Sequence, residues 1–204
     1  RVLQRPEYLA AAKRARDYII NHFIDSEYGG SYWSVDYLGN AKDTKKQFYA
    51  IGFMLYGMSE YVRAAITDLR IPQTEIEETI EISFQLFDTI EVHSLDRINN
   101  GYIEAQTREW GEIADMRLSD LDANYPKSQN THLHIMEPYT NLLRCLNEME
   151  TKGMSVDQNR KQQVADALRN IICIFTDRIL NPDTHHLDLF FENDWTRGAG
   201  WLES

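Results

Sequence analysis

The feature that most constrains the fold is a tail-like segment that occurs three times, each time after a helical stretch. The three tails are HFIDSEYGGSYWSVDYLGN (22–40), VHSLDRINNGYIEAQTREW (92–110) and RILNPDTHHLDLFFENDW (178–195). Each has an Asp shortly after the helix, then turn residues, then a short alternating apolar and aromatic run, which is typical of a turn followed by a short β-hairpin. Since two helices fit between one tail and the next, the chain is predicted to repeat helical hairpins, each closed by an extended loop on the same side.

Helical periodicity predicts five helices between and beside these tails. They are expected at residues 5–23, 44–65, 72–93, 131–150 and 156–180. The second is apolar nearly all round and is therefore expected to be buried on most sides. Its apolar residues are Phe48, Ile51, Phe53, Leu55, Met58 and Val62.

Two of the predicted helices carry local signals at or near their starts. In the third, Thr74 is a suitable N-cap, and Glu77 three residues later completes a capping box. In the fourth, Pro138 either kinks the helix or marks its true first turn.

The charge and composition exclude several classes of partner. A formal net charge of −11 repels nucleic acid and anionic membranes, so neither is expected to bind. No apolar run reaches the length of about 18 residues that a membrane span needs, and no signal peptide is visible. Cys145 and Cys173 lie in apolar helical runs without CxxC spacing. They are expected to be two buried, reduced thiols of a cytoplasmic protein.

The segment NTHLHIMEPYTNLLR (130–144) concentrates residues that could carry chemistry. His132 and His134 do not have HExxH spacing and three ligands are not evident, so a metal site is not expected. On a helix, His132 points about 200° away from His134, which places the two imidazoles on different faces. Glu137 is one turn from His134 and can orient that imidazole, or it is simply a solvated or capping carboxylate.

Several blocks of the chain resemble the cellobiose 2-epimerase branch of the N-acylglucosamine 2-epimerase family. The blocks are DSEYGGSYWSVDYLGNAKDTKKQFYA (25–50), NNGYIEA (99–105), DMRLSDLDAN (115–124), NTHLHIMEPYTNL (130–142) and LFFENDW (189–195). The resemblance implies an all-α (α/α)6 barrel, of which this chain is the middle. It also implies inversion at C2 of the reducing-end sugar of a β-1,4-linked disaccharide such as cellobiose or mannobiose, without a metal or organic cofactor.

The implied chemistry explains the interest in histidines. The sugar ring opens so that C1 becomes a carbonyl, a base removes the acidified C2 proton to give a cis-enediolate, and a proton returns on the other face. Groups that titrate near neutrality suit both proton transfers, and His is the natural choice.

The resemblance implies roles for three residues in particular. His134 matches a pocket histidine that assists ring opening near O1, with a helix-capping or core histidine as the alternative. Asn130 matches a sugar-binding asparagine, with a helix N-cap as the alternative. Tyr49 matches a tyrosine that holds sugar hydroxyls, with a core aromatic as the alternative.

Three further residues are weaker candidates for substrate binding. Trp33 is either a stacking platform at the pocket mouth or part of the hairpin packing. Glu104 and Arg117 either support the site from loops on the same side or form plain salt bridges.

The family's two acid–base histidines would follow residue 195 of this chain. We therefore expect one domain over residues 1–204, a partial barrel that lacks both its N- and C-terminal parts and does not epimerise sugars by itself. Self-association through the open ends of the arc is left open.

Other functions remain open at this point. One is an N-acylglucosamine 2-epimerase that acts on an amino sugar. Another is an (α/α)6 glycoside hydrolase or lyase, although no motif singles out the paired carboxylates that such enzymes use. The last is a non-catalytic helical-repeat remnant that binds carbohydrate or protein on its concave face.

Overall fold

The computed structural model describes residues 5–198, so residues 1–4 and 199–204 of the predicted domain lie outside it. The described part contains five α-helices, close to the predicted positions. They are α1 (Pro6–Tyr18), α2 (Phe48–Ala65), α3 (Gln73–His93), α4 (Gln129–Thr151) and α5 (Gln158–Ile174). A π-helical turn extends α1 through Ile19–Phe23, and another extends α5 through Phe175–Ile179.

Short strands connect the helices at one end of the fold. They are β1 (Ser34–Val35), β2 (Ala41–Asp43), β3 (Lys46–Gln47), β4 (Ala105–Gln106), β5 (Lys127–Ser128) and β6 (Phe190–Phe191). They form three antiparallel pairs, β1 with β2, β3 with β4 and β5 with β6. Since β3 and β5 directly precede α2 and α4, these pairs tie the start of each of those helices to the following tail.

The core lies between α2 and α4, which pack against each other along most of their length. Helix α3 packs on α2, α5 packs on α4, and α1 also lies against α2. The structure is therefore a central layer of two helices with α1, α3 and α5 on its flank, which is the predicted arrangement of stacked helical hairpins.

Side chains cap the starts of α4 and α5, but not those of α1, α2 and α3. Ser128 caps α4 by accepting a hydrogen bond from the Thr131 N–H at 3.0 Å, and Asp157 caps α5. The predicted Thr74 cap is wrong, because α3 follows Pro72 and has no side-chain cap.

Three other details differ from expectation. Pro138 lies inside α4 and does not mark its first turn. Phe53 is 41% exposed, so it does not belong to the buried core. Cys145 is buried but Cys173 is exposed, so the prediction of two buried thiols is wrong for Cys173. The predicted cytoplasmic location stays a prediction.

The three tails share one backbone geometry, as the sequence repeat predicted. Isolated bridges join Ile24 to Ser31, Leu95 to Tyr102 and Leu180 to Leu187. The residue after the first member of each bridge turns the chain. Its side-chain oxygen accepts hydrogen bonds from the backbone N–H groups two and three residues later, as Asx-turns do. These residues are Asp25, Asp96 and Asn181.

A buried lysine locks each of the first two tails to the next central helix. Lys46 donates to Asp25 Oδ2 at 2.8 Å, and Lys127 donates to Asp96 Oδ2 at 2.7 Å. Both lysines are completely buried. A tryptophan covers each ammonium group, Trp110 over Lys46 at 5.2 Å and Trp195 over Lys127 at 5.0 Å.

The tryptophans require glycine beneath them. Gly30 and Gly101 have positive φ angles of 65° and 87°. A Cβ at Gly30 would lie 2.8 Å from Trp110, and one at Gly101 would lie 2.3 Å from Trp195. These glycines therefore serve both the turn and the ring that packs on it.

Asp96→Asn should separate the ion pair from the turn. Asn keeps the oxygen that the turn needs, as Asn181 does in the third tail, but it removes the charge opposite Lys127. A buried ammonium group without its partner destabilises by about 3–5 kcal/mol. Urea unfolding of the full-length protein measures the change.

The control is Arg169→Ala, which removes a solvent-exposed pair with Asp166. It should change the unfolding free energy very little, because such pairs are screened by water. Equal losses in the two variants would contradict the proposed importance of the buried pair.

Candidate functional site

The candidate site lies where α2 and α4 begin, because both helices bring predicted residues to the same place. Tyr49 is in the first turn of α2, and Asn130 and His134 are in the first two turns of α4. Gly52 allows the two helices to approach closely, since a Cβ there would lie 2.4 Å from the His134 carbonyl oxygen. Any larger residue would push the two helices apart.

Three rings meet at this contact. The His134 imidazole lies 4.8 Å from the Tyr49 ring in an edge arrangement, and 4.8 Å from the Phe53 ring. The two aromatic rings are themselves 4.9 Å apart. His134 and Tyr49 are half-buried, so the cluster is a wall rather than part of the closed core.

Glu137 contacts His134, which agrees with the alternative in which it orients that imidazole. The Glu137 Oε2 atom is 2.8 Å from His134 Nδ1. A carboxylate beside Nδ1 places the proton of the neutral imidazole on that nitrogen, so that Nε2 is the atom able to accept a proton. The functional roles of both residues stay predictions.

His132 is turned away from this cluster, as predicted. It is completely buried, its Nδ1 donates to the Ser128 carbonyl at 2.7 Å, and its Nε2 accepts the Tyr102 N–H at 2.9 Å. Burial lowers the pKa of His132 to about 4. It therefore stays neutral and joins the start of α4 to the second tail.

Asn130 is exposed in the first turn of α4. It does not cap the helix, because Ser128 does, so the capping alternative is wrong. The Asn130 side chain is therefore available at the mouth of the site.

Glu104 is a buried carboxyl group that touches the starts of both central helices. Its backbone carbonyl accepts the Phe48 N–H at 3.1 Å, and its Oε2 accepts the Thr131 hydroxyl at 2.7 Å. Burial raises the pKa of Glu104 to about 7, although Thr131 and Ser128 partly offset this effect. The salt-bridge alternative for Glu104 is wrong, because no ion pair joins it to any residue between 5 and 198.

Glu104, Arg117 and Asn130 line one pocket of about 190 Å³. Tyr49, His134, Glu137 and Trp33 are not among its lining residues. The predicted site residues therefore fall into two groups, one around His134 and one around Glu104.

Arg117 and Trp33 do not join the His134 cluster. The Arg117 guanidinium forms a salt bridge with Asp115 at 2.8 Å, which was one of its predicted alternatives. The Arg117 carbonyl accepts hydrogen bonds from Lys45 and Gln47, which pins the loop over the start of α2. The Trp33 ring lies under Lys45 Nζ at 5.5 Å.

Sequence reasoning missed three residues of these groups. Phe53 was assigned to the core, although its position four residues after Tyr49 places both on one face of α2. Tyr125 and Phe190 stack at 5.9 Å in the wall of the Glu104 pocket. Only the pairing of β5 with β6 brings them together, so no local signal could have found them.

The chain matches known sugar epimerases over nearly all of its length. It is 51% identical over 195 residues to a cellobiose 2-epimerase of Bacteroides fragilis, a match that spans 96% of this chain and 44% of that protein. It is 35% identical to the cellobiose 2-epimerase of Ruminococcus albus, over 91% of this chain and 42% of that one. The chain thus spans less than half the length of the curated relatives it matches.

Solved structures give the same result. The cellobiose 2-epimerase of Spirochaeta thermophila matches with a TM-score of 0.78 at 30% identity, over 96% of this chain and 43% of that one. A sugar epimerase from a ruminal bacterium matches with a TM-score of 0.80 at 32% identity, over 97% and 45%. No protein-family model matches the chain.

The chain is similar in sequence and in structure to less than half of several cellobiose 2-epimerases. The predicted fold class is confirmed, since the described helical hairpins form part of an (α/α)6 barrel. A D-mannose isomerase structure shares the fold at 19% identity, with a TM-score of 0.64.

Two absences complete the description of the site region. Between residues 5 and 198, no helix combines the length and apolarity that a membrane crossing needs. Within the same range, no three His, Cys, Asp or Glu side chains are grouped so that they could hold a metal ion.

Glu104 and His132 should affect the pH dependence of stability in opposite directions. The folded-state pKa of Glu104, about 7, lies above its ordinary value of 4.5. The contribution of Glu104 to the free energy of unfolding is thus full below pH 4.5 and is lost as the pH rises through 7. The folded-state pKa of His132, about 4, lies below 6.5. The contribution of His132 to the free energy of unfolding is full above pH 6.5 and is lost as the pH falls towards 4.

Glu104→Gln should therefore reveal the His132 effect. As the pH rises from 4.5 to 6.5, the contributions of Glu104 and His132 to the unfolding free energy of the natural protein change in opposite directions and cancel. The variant keeps only the His132 contribution, so its unfolding free energy should rise by about 2 kcal/mol relative to the natural protein over this range. Urea unfolding at several pH values measures the difference. Glu112→Gln, which replaces an exposed carboxyl group, should show no such gain. A pH-independent difference between Glu104→Gln and the natural protein would show that Glu104 ionises normally in the fold.

Proposed function

We propose that the chain forms part of a sugar 2-epimerase that acts on the reducing end of a β-1,4-linked disaccharide of the cellobiose or mannobiose type. The observation that carries this proposal is the His134–Glu137 pair beside Tyr49 and Phe53, in a chain 51% identical to a named cellobiose 2-epimerase. The remaining steps concern what these side chains do to a sugar.

His134 is suited to opening the sugar ring. Its Nε2 accepts the proton of the O1 hydroxyl while the C1–O5 bond breaks, and O5 receives a proton in return, so C1 becomes an aldehyde. Glu137 keeps the imidazole in the tautomer that this step needs. Its Oε2 atom lies 2.8 Å from His134 Nδ1 and holds the proton on that nitrogen. No charge has to be created on the sugar at this stage.

The aromatic wall orients the sugar. Tyr49 presents a phenol that donates to or accepts from a hydroxyl group, and Phe53 offers a flat apolar surface to the C–H groups of the ring. Asn130, one helical turn before His134, supplies an amide for a further hydroxyl. Together they fix the aldehyde close to the groups that exchange the C2 proton.

The proton exchange at C2 is assigned to residues outside this chain. The first base removes the C2 proton to give a cis-enediolate, and a second group returns a proton to the opposite face. By the family resemblance, both groups are histidines that follow residue 195. The described residues bind and open the sugar in this proposal, but do not invert it.

His134→Asn in the full-length natural protein should test the ring-opening role. Loss of a positioned acid–base group lowers the rate by about 10²–10⁴-fold. The measurement is turnover of cellobiose followed by product analysis.

His185→Asn is the matched control, because His185 is exposed in the third tail and has a φ of 58°, which Asn tolerates. It should leave turnover unchanged. Equal turnover in His134→Asn and the natural protein would contradict a role of His134 in the reaction.

The 204-residue chain alone should produce no epimer from cellobiose or mannobiose, whereas the full-length natural protein should. The reason is that the expected C2 proton-transfer groups are not in this segment. Nuclear magnetic resonance of the sugar after prolonged incubation measures both. Robust turnover by the isolated chain would overturn the assignment of proton exchange to other residues.

Other functions predict different results from the same samples. An N-acylglucosamine 2-epimerase would turn over the amino sugar rather than the disaccharide. A carbohydrate-binding remnant would bind sugar without converting it, even at full length. The identity to named cellobiose 2-epimerases favours the disaccharide over both.

A further inference from the structure

The two central helices repeat one another, so their residues can be matched position by position. The first N–H group of each helix donates to a carbonyl of the following tail, Phe48 to Glu104 at 3.1 Å and Gln129 to Leu189 at 2.8 Å. A completely buried lysine lies two residues before each of these starts. A residue of α2 therefore corresponds to the residue 81 positions later in α4.

One face of α2 is the face that packs on α4. Gly52, Ser59 and Arg63 lie on it and are buried. Their spacing of seven and four residues places them on one side of the helix. Ser59 Oγ accepts a hydrogen bond from the Asn141 amide of α4 at 2.8 Å. The contact between the two helices is therefore partly polar at the end that lies away from the candidate site.

Arg63 makes the strongest polar contact of this face. Its Nη2 donates to Glu148 Oε1 at 2.6 Å, and its Nη1 donates to Asn141 Oδ1 at 2.6 Å and to Glu60 Oε2 at 2.7 Å. Only 2% of Arg63 is exposed. A guanidinium buried to this degree needs such partners, because an unpaired buried charge is strongly destabilising.

The corresponding face of α4 carries an arginine at the same position but is not covered in the same way. Arg144 is the sixteenth residue of α4, as Arg63 is of α2. Leu133 is half-buried, and Thr140 and Arg144 are exposed. Between residues 5 and 198, no hydrogen bond or ion pair joins the Arg144 guanidinium to another residue. Helix α4 thus presents the arginine that α2 uses to bind the next central helix.

The fold and the length of the relatives indicate what covers this face. An (α/α)6 barrel has six helical hairpins, whereas residues 5–198 contain two central helices. The chain spans 44% of the Bacteroides fragilis enzyme that it matches. Since the third tail follows α4 as the second tail follows α2, the neighbour of α4 in a complete barrel is the central helix after the third tail.

We propose that Arg144 forms an ion pair with an Asp or Glu side chain of the central helix that follows the third tail in the full-length protein. The pair repeats the one between Arg63 and Glu148 one hairpin further along the barrel. Glu148 is the twentieth residue of α4, so the partner carboxylate is expected about twenty residues into that helix. A carboxylate is the group that matches the fork of donors on a guanidinium.

This ion pair acts on the assembly of the barrel and is independent of the proposed sugar chemistry. Arg144 follows His134 by ten residues on α4, which corresponds to about 15 Å along the helix axis. It therefore lies too far from the His134 cluster to touch a sugar held there. A change at Arg144 should affect stability and leave turnover by the folded protein unchanged.

Arg144→Met in the full-length natural protein should lower stability about as much as Arg63→Met. Each change removes charged hydrogen bonds between two central helices, so the equilibrium constant for unfolding should rise about ten- to a hundredfold. Urea unfolding measures this constant, and turnover of cellobiose is compared below the unfolding transition. Arg169→Met is the matched control, because Arg169 pairs with Asp166 in solvent and such pairs contribute little.

The outcomes of this comparison are distinct. Stability lowered in Arg144→Met and Arg63→Met but not in Arg169→Met supports the inference. Stability of Arg144→Met equal to that of Arg169→Met overturns it, and so does normal stability with lost turnover, which would assign Arg144 to the reaction. A natural protein that folds but converts no sugar overturns the proposed function and leaves the stability comparison valid.

A second measurement uses the natural protein and does not require a variant to fold. The reagent phenylglyoxal modifies accessible arginine side chains, and mass spectrometry of peptides locates the modified residues. Arg144 should be protected as Arg63 is, whereas the exposed Arg169 should react. Modification of Arg144 at the rate of Arg169 overturns the inference. Protection that is lost on dilution also overturns it, because it would show that a second copy of the chain covers this face.

The identity of the partner group is tested by a double change. The natural sequence after the third tail identifies the carboxylate, and absence of Asp or Glu from the second half of that central helix overturns the inference. Replacing the carboxylate by its amide should destabilise about as much as Arg144→Met, and combining the two changes should add little. Fully additive losses would show that Arg144 and this carboxylate do not interact.

Discussion

The buried ion pair between a lysine and the aspartate of a tail is the interaction on which the rest of the structure depends. Lys46 and Lys127 each stand immediately before a central helix, and each reaches back to the turn of the preceding tail, at Asp25 and Asp96. Burial by itself would raise the pKa of Asp25, but hydrogen bonds from Arg108 and Lys46 bring it below its ordinary value. The charged form is therefore the stable one, and the tail cannot leave without exposing the lysine.

This lock fixes where α2 and α4 begin, and the candidate site lies at those two starting points. The strands that carry the lysines also pair with the following tails, which brings Glu104 against Phe48 and Thr131. Close approach of the helices at Gly52 then sets the distance between His134 and the Tyr49 and Phe53 rings. Stability and the proposed sugar chemistry thus share the same few contacts, so changes in the tails should affect both.

The sequence was most informative where a signal is local or repeated. Helical periodicity located all five α-helices of the described residues, and the recurring Asp and turn residues located the three tails. Sequence reasoning failed at helix boundaries that are set by contacts with residues distant in the chain. Helix α2 begins at Phe48 rather than near 44, because Lys46 and Gln47 pair with residues 105–106. The absence of a side-chain cap on α3 and the exposure of Phe53 and Cys173 also differ from the predictions.

By itself, the sequence determined the class of fold, the repeat of helical hairpins, and the i, i+3 spacing that joins His134 to Glu137 while turning His132 away. The hairpin repeat and the spacing follow from the geometry of a single helix and of single turns, whereas the barrel was implied by the family resemblance. Only the tertiary structure decided that the candidate residues form two groups, one around His134 and one around Glu104. The physical reason is that Glu104, Asn130 and Phe190 lie far apart in the chain, and the β3–β4 and β5–β6 pairs alone bring them together.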